Sequence, residues 1–106
     1  MKLYGIKSCD TCRKALKSIE AAGHSVEFVD VREAPLSSDE LERFAEKFGD
    51  ALTNTRSTTW RGLSESERAR PVLELLAENP TLMKRPVIEA DQLYLGWKQD
   101  VQDALL

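Results

Sequence analysis

Apolar and polar positions fall into three successive patterns along this chain. Residues 2–6 form a short apolar run, as a strand does, and residues 11–22 place Ala15, Leu16, Ile19 and Ala22 at helical spacing ahead of Gly23, a natural helix stop. Residues 26–31 return to alternation, with Val26 and Phe28 set against Glu27 and Asp30, and read as a second strand. A β-α-β order makes these strands parallel, since a helical crossover joins strands that run the same way. The middle of the chain carries the helical period alone. Ser37 or Ser38 caps a helix with Leu41, Phe44, Ala45 and Phe48 on one face and Gly49 at its end; Ser64 and Glu67 stand at capping-box spacing; residues 72–78 form a further helix before Asn79-Pro80. After Arg85-Pro86, residues 87–90 and 92–95 are short apolar runs either side of Asp91, an antiparallel hairpin, and residues 97–106 close as a helix. The order predicts an α/β fold with a mixed four-stranded sheet, one domain over residues 1–106 with a helical insertion at about 37–80.

Composition narrows the function classes. A chain of 106 residues buries a core without disulfide staples, and its net charge of −3, with both signs interspersed, offers no basic tract for direct nucleic-acid contact. No apolar stretch approaches the ~18 residues that a membrane span needs, and the start has no secretory core. The expectation is a cytoplasmic protein without membrane contact. In that compartment cysteines rest mainly as thiols.

The chemistry concentrates at Cys9-Asp10-Thr11-Cys12, where the first strand gives way to the first helix. A thiolate at a helix N-terminus faces unpaired backbone N–H groups and the positive end of the helix dipole, and both lower its pKa. Cys9 is therefore the expected nucleophile. Cys12, one turn further along the same face, can resolve a mixed disulfide on Cys9. Lys7, Arg13 and Lys14 add positive charge nearby, and Asp10 opposes them. A zinc site needs about four ligands, whereas the chain has two cysteines and one histidine, His24, so no bound metal is expected. The competing reading is a pair of buried, inert cysteines. A Cys-x-x-Cys at a strand-to-helix turn beside a β-α-β pattern favours redox use and a thioredoxin-like (glutaredoxin-like) sheet. In such a sheet the start of the third strand, Arg85-Pro86, lies beside the end of the first. There Pro86 either offers a backbone edge to a ligand or simply begins a strand.

Three segments carry a family resemblance. Tyr4-Gly5-Ile6-Lys7-Ser8-Cys9-Asp10-Thr11-Cys12-Arg13-Lys14-Ala15, Asn54-Thr55-Arg56-Ser57-Thr58-Thr59-Trp60 and Leu82-Met83-Lys84-Arg85-Pro86-Val87-Ile88 resemble the arsenate reductase and Spx superfamily in motif order from end to end. Within it the chain is most similar to the YffB branch of arsenate-reductase-like proteins. The resemblance implies a glutathione-dependent thiol reductase with no bound cofactor and with glutathione as co-substrate.

It also implies particular residues. Glutaredoxin-coupled arsenate reductases of this superfamily use one cysteine and three arginines; Cys9, Arg56 and Arg85 match the cysteine and two arginines, while the third position falls at about Gly96, with Lys98 nearby. The histidine that precedes the cysteine there is replaced by Gly5. One bidentate anion contact is thus missing, which weakens the expectation of arsenate reduction. Arg56, Arg85 and Pro86 would bind an anionic thiol substrate, against the plainer reading of both arginines as surface residues. Spx proteins, which share the Cys-x-x-Cys and the Arg-Pro pair, imply a different function: redox-controlled binding of the RNA polymerase alpha subunit. The partners implied are therefore glutathione or a small thiol or disulfide, glutaredoxin, or that subunit.

Overall fold

A computed structural model describes residues 1–106. Its elements run β1 (Lys2–Gly5), α1 (Asp10–Ala21), β2 (Glu27–Asp30), α2 (Ser38–Phe48), α3 (Thr58–Arg61), α4 (Glu65–Arg68), α5 (Val72–Glu78), β3 (Val87–Glu89), β4 (Leu93–Leu95) and α6 (Gln99–Leu105), with 3-10 turns at Gly49–Leu52 and Pro80–Leu82. The chain divides into two compact units, Met1–Ala34 with Arg85–Leu106, and Pro35–Lys84.

The first unit holds all four strands, in the order β2-β1-β3-β4. Leu3 pairs with Phe28 across the parallel β1–β2 ladder and with Ile88 across the antiparallel β1–β3 ladder, while β3 and β4 form the expected hairpin. Strand alternation then sends Leu3 and Ile88 to one face, where they join Cys12, Ala15 and Ile19 of α1 and Val101 and Leu105 of α6 in one buried cluster. Each large aliphatic side chain in that cluster contributes about 1.5–3 kcal/mol by leaving water. Both helices thus sit on the same face, and the N-terminus of α1 is fixed against the end of β1.

The second unit is helical, as its pattern predicts. Ser37 and Glu40 form a reciprocal capping box at the start of α2, Ser64 and Glu67 form another at α4, and Ser57 caps α3 through the Trp60 N–H. Leu41 and Phe44 of α2 and Leu75 and Leu76 of α5 are buried, as are Leu52, Leu82 and Met83. Its only strand-like pairing is a bridge between Thr53 and Met83, flanked by hydrogen bonds from Asn54 N–H to Leu82 O (2.9 Å) and from Lys84 N–H to Leu52 O (2.7 Å). The pattern missed α3. Its Thr58-Thr59 pair disfavours a helix, and the Ser57 cap decides otherwise. The last helix begins at Gln99 and not at residue 97, because Gly96 has a φ of 82° and Lys98 is extended.

Candidate active site

The turn after β1 is built to present Cys9. Cys9 is the extended N-cap residue of α1, with φ −82° and ψ 118°, and its N–H donates to Ile6 O at 3.0 Å. The turn is gripped from β2 by the buried carboxylate of Asp30, which accepts from Lys7 N–H and Arg32 N–H, both at 2.9 Å, and from Glu33 N–H at 3.4 Å. The Lys7 N–H, working against partial desolvation and aided by the Arg32 and Glu33 N–H groups, holds the Asp30 carboxyl below its ordinary 3.8. Nothing in the sequence marks Asp30 out. It is one acidic residue in an alternating strand, and only the parallel pairing brings it to Lys7.

The two thiols differ sharply. Cys9 is half-buried and Cys12 fully buried. Burial works against the Cys9 thiolate, but the Cys12 N–H, the Cys12 thiol and then the Arg85 guanidinium outweigh it and hold Cys9 below its ordinary value. Cys12 goes the other way: burial pushes it up to about 12, with the Ile6 N–H opposing and the neighbouring Cys9 sulfur reinforcing the rise. The buried-cysteine reading therefore describes Cys12 and not Cys9.

Positive charge reaches Cys9 from an unexpected quarter. Lys7 is engaged with Glu33 at 3.0 Å and Arg13 with Asp10, both on the surface, and neither figures among the influences on Cys9. Lys14, also exposed, does not figure there either. Their attraction is spent on carboxylates and water. Arg85 acts instead, because β3 lies antiparallel beside β1. Arg85 is partly buried, Pro86 fully so, and the Arg85–Pro86 peptide bond is cis. The Pro86 carbonyl accepts from Gly96 N–H at 2.8 Å. Cys9, Cys12, Arg85 and Pro86 thus belong to one unit, while Arg56 belongs to the other, exposed on its surface with its N–H donating to Asn54 Oδ1 at 3.1 Å. Trp97 packs against the sheet unit's core, and Trp60 lies in the helical unit under the Arg68 guanidinium, 5.3 Å from the ring centre.

A mixed sheet ordered β2-β1-β3-β4, with a cysteine at the head of the first helix and a proline just ahead of the third strand, is a thioredoxin-like arrangement. Within that class, residues 4–105 match the ArsC family, and the chain belongs to it. A protein of Haemophilus influenzae is 46% identical over 96 residues, covering 84% of this chain and 82% of its own. The global transcriptional regulator Spx of Bacillus subtilis is 33% identical over 107 residues, covering 92% and 80%. Among solved structures, a YffB protein superposes with a TM-score of 0.87 at 30% identity, covering 99% of this chain and 97% of that one.

Proposed function

We propose that the protein is a glutathione-dependent thiol–disulfide reductase. The observation that carries this reading is the opposed character of two thiols one helical turn apart, Cys9 held toward thiolate and Cys12 held as thiol. The Cys9 thiolate attacks a mixed disulfide of glutathione and a substrate, forms a Cys9–glutathione disulfide and expels the substrate thiolate, which takes up a proton. Cys12 then loses its proton and attacks the Cys9 sulfur, releasing glutathione and leaving a Cys9–Cys12 disulfide. Two further glutathione molecules reduce that bond and leave as glutathione disulfide. Alternatively, one glutathione resolves the Cys9 adduct directly.

A value of about 12 leaves only about one Cys12 in 10⁵ ionised at neutral pH. Proximity offsets this, since well-oriented intramolecular groups reach effective molarities of about 10⁵–10⁸ M. Formation of the adduct also removes the Cys9 charge, one of the influences that raise Cys12. Arg85 is proposed to bind a carboxylate of glutathione, with the Pro86 backbone alongside, and Arg56 is proposed as an anion-binding residue of the helical unit.

Single-turnover kinetics with a glutathionylated peptide test the scheme. Peptide release should level off above the lowered Cys9 pKa, while loss of the Cys9–glutathione adduct should keep climbing with pH through the alkaline range and be independent of glutathione concentration. Adduct decay proportional to free glutathione, unchanged in Cys12→Ser, would remove the resolving role from Cys12; no peptide release at all would sink the reductase reading.

The Spx relative favours a second reading, in which the Cys9–Cys12 disulfide is a switch that governs binding to the RNA polymerase alpha subunit. Capture of that subunit by only one redox state, with no glutathione turnover, would select it. Glutaredoxin-coupled arsenate reduction is the third reading, supported by Arg56 and Arg85 and weakened by glycine at position 96.

A further inference from the structure

Gly5 is a strand residue with no conformational reason to be glycine. The chain's positive-φ residues are Gly23, Gly49 and Gly96, so the backbone of Gly5 suits any L-residue. It is buried, aligned with Asp30 across the β1–β2 ladder, and its carbonyl accepts from Val31 N–H at 2.9 Å. A strand glycine of this kind costs stability unless something must approach the backbone closely. Here something does. A Cβ on Gly5 would lie 2.5 Å from Cys12 Sγ and 3.1 Å from Cys12 Cβ, with Leu3 Cδ2 at 3.4 Å. The first separation is far inside contact distance, so the Cys12 sulfur occupies the space that any other residue at position 5 would fill.

We propose that Gly5 is a positioning residue of the active site: its bare Cα forms the slot that seats the Cys12 sulfur and so fixes where the second thiol stands relative to Cys9. The Cys12 side chain springs from a helix whose axis is set by Ala15, Ile19 and Leu3 in the shared core, so its Cβ has little freedom to retreat. Seated in the slot, the sulfur lies where the Ile6 N–H acts on it and where its own S–H acts on Cys9. A methyl group at position 5 would turn it out of that place. The titratable and charged groups that act on Cys9 are Cys12 and Arg85, so a displaced Cys12 leaves Arg85 as the only charged support.

The inference rests on Cys9 being the reacting sulfur, as in the proposed reductase, but its test uses no glutathione. The pH dependence of Cys9 alkylation is measured in the full chain for four proteins: the parent, Gly5→Ala, Cys12→Ala and the double variant. Gly5→Ala should raise the Cys9 pKa by about one unit, about a tenfold loss of thiolate at pH values below the pKa, through loss of a donor to the charged form. In the Cys12→Ala background the same change should leave the Cys9 pKa where Cys12→Ala alone puts it, because the sulfur that needed the slot is gone. A purely structural glycine would not move this pH profile. Should Gly5→Ala fail to fold, recovery of folding in the double variant, by circular dichroism, carries the same coupling. An unchanged Cys9 pKa in a folded Gly5→Ala protein, an equal shift in both backgrounds, or a double variant that stays unfolded overturns the proposal. Absent glutathione turnover with the coupling intact would overturn the reductase reading and leave the role of Gly5 standing.

Discussion

The thiol end of the sheet unit and the helical unit are each stabilised by a different kind of interaction. In Pro35–Lys84 the side-chain contacts that set the helix ends are near in sequence, Ser37 with Glu40, Ser57 with Trp60, Ser64 with Glu67, and Arg70 with Glu78 at 2.7 Å, beside one longer-range bridge between Thr53 and Met83. Around Cys9 the nearby Cys12 N–H and thiol are joined by contacts that span the chain, with Asp30 on the Lys7 amide and Arg85 on the Cys9 sulfur. Local contacts can be lost singly at small cost, because each serves one helix end. The long-range contacts converge on the turn that carries Cys9, so losing any of them should change reactivity as well as stability.

The largest break in that comparison is Cys9→Ser. Replacing the thiolate by a hydroxyl should cut glutathione-dependent disulfide reduction by about a thousandfold or more, since the covalent route is lost. Thermal stability should barely move, as the side chain is half-buried. Steady-state reduction and a melting curve on the same sample check both halves.

Next comes Asp30→Asn. At neutral pH it should cost about 1–3 kcal/mol, because a charged, buried acceptor of three backbone N–H groups is exchanged for a neutral one. The folded Asp30 pKa is depressed, so its contribution is fully present above the unfolded value near 3.8 and is lost as pH falls through the lower folded value. The gap between parent and variant in urea midpoint should therefore close on acidification below about pH 4. A gap that stays constant to pH 2 would mean that the carboxylate is not what holds the turn.

Arg85→Ala and Arg56→Ala sharpen the contrast between the units. Loss of Arg85 should raise the Cys9 pKa and slow its alkylation near neutral pH by up to about tenfold. Loss of Arg56 should leave alkylation by a small neutral reagent unchanged and raise the KM for glutathione, as an anion-binding contact predicts. Unchanged glutathione kinetics in Arg56→Ala would leave that residue a plain surface arginine with no part in binding.

How far the sequence reached follows the same division. The helix at residues 72–78 is found on those residues, and α2 lies between Ser37, one of its two predicted caps, and Gly49, because caps and apolar periodicity are written locally. The place of Cys9 at the head of α1 was legible for the same reason, since a strand followed by a cysteine and a helix is a local pattern. Asp30 and Gly5 were not, because their partners are set by strand register and helix packing. Charge was misleading at short range: Lys7 and Arg13 stand beside Cys9 in sequence and are held by Glu33 and Asp10 in space. Gly96 shows a different limit. Comparison of motifs makes it a vacancy for an arginine, yet its φ of 82° is a conformation in which any side chain is strained, although space for a Cβ is open. An arginine installed there would have to offset about 1 kcal/mol of backbone cost, and Gly96→Ala is the control that carries that cost without the guanidinium.

The smallest expected effect is at Ser37. Its Oγ accepts from Glu40 N–H at 3.1 Å, and Glu40 Oε1 accepts from Ser37 N–H at 3.0 Å, so Ser37→Ala removes one arm of the box and leaves the other. The cost should be about 1 kcal/mol, a fall in melting temperature of about 4–8 °C for a chain of this size. Because this contact serves only the first turn of α2, the pH profile of Cys9 alkylation should coincide with that of the parent at temperatures well below melting. The pair of measurements is decisive for the comparison. A stability loss with an unmoved profile is what a locally held helix predicts, whereas a Cys9 pKa that rises in Ser37→Ala would show that the order of the helical unit is transmitted to the thiol, and the division between local and converging contacts would fail.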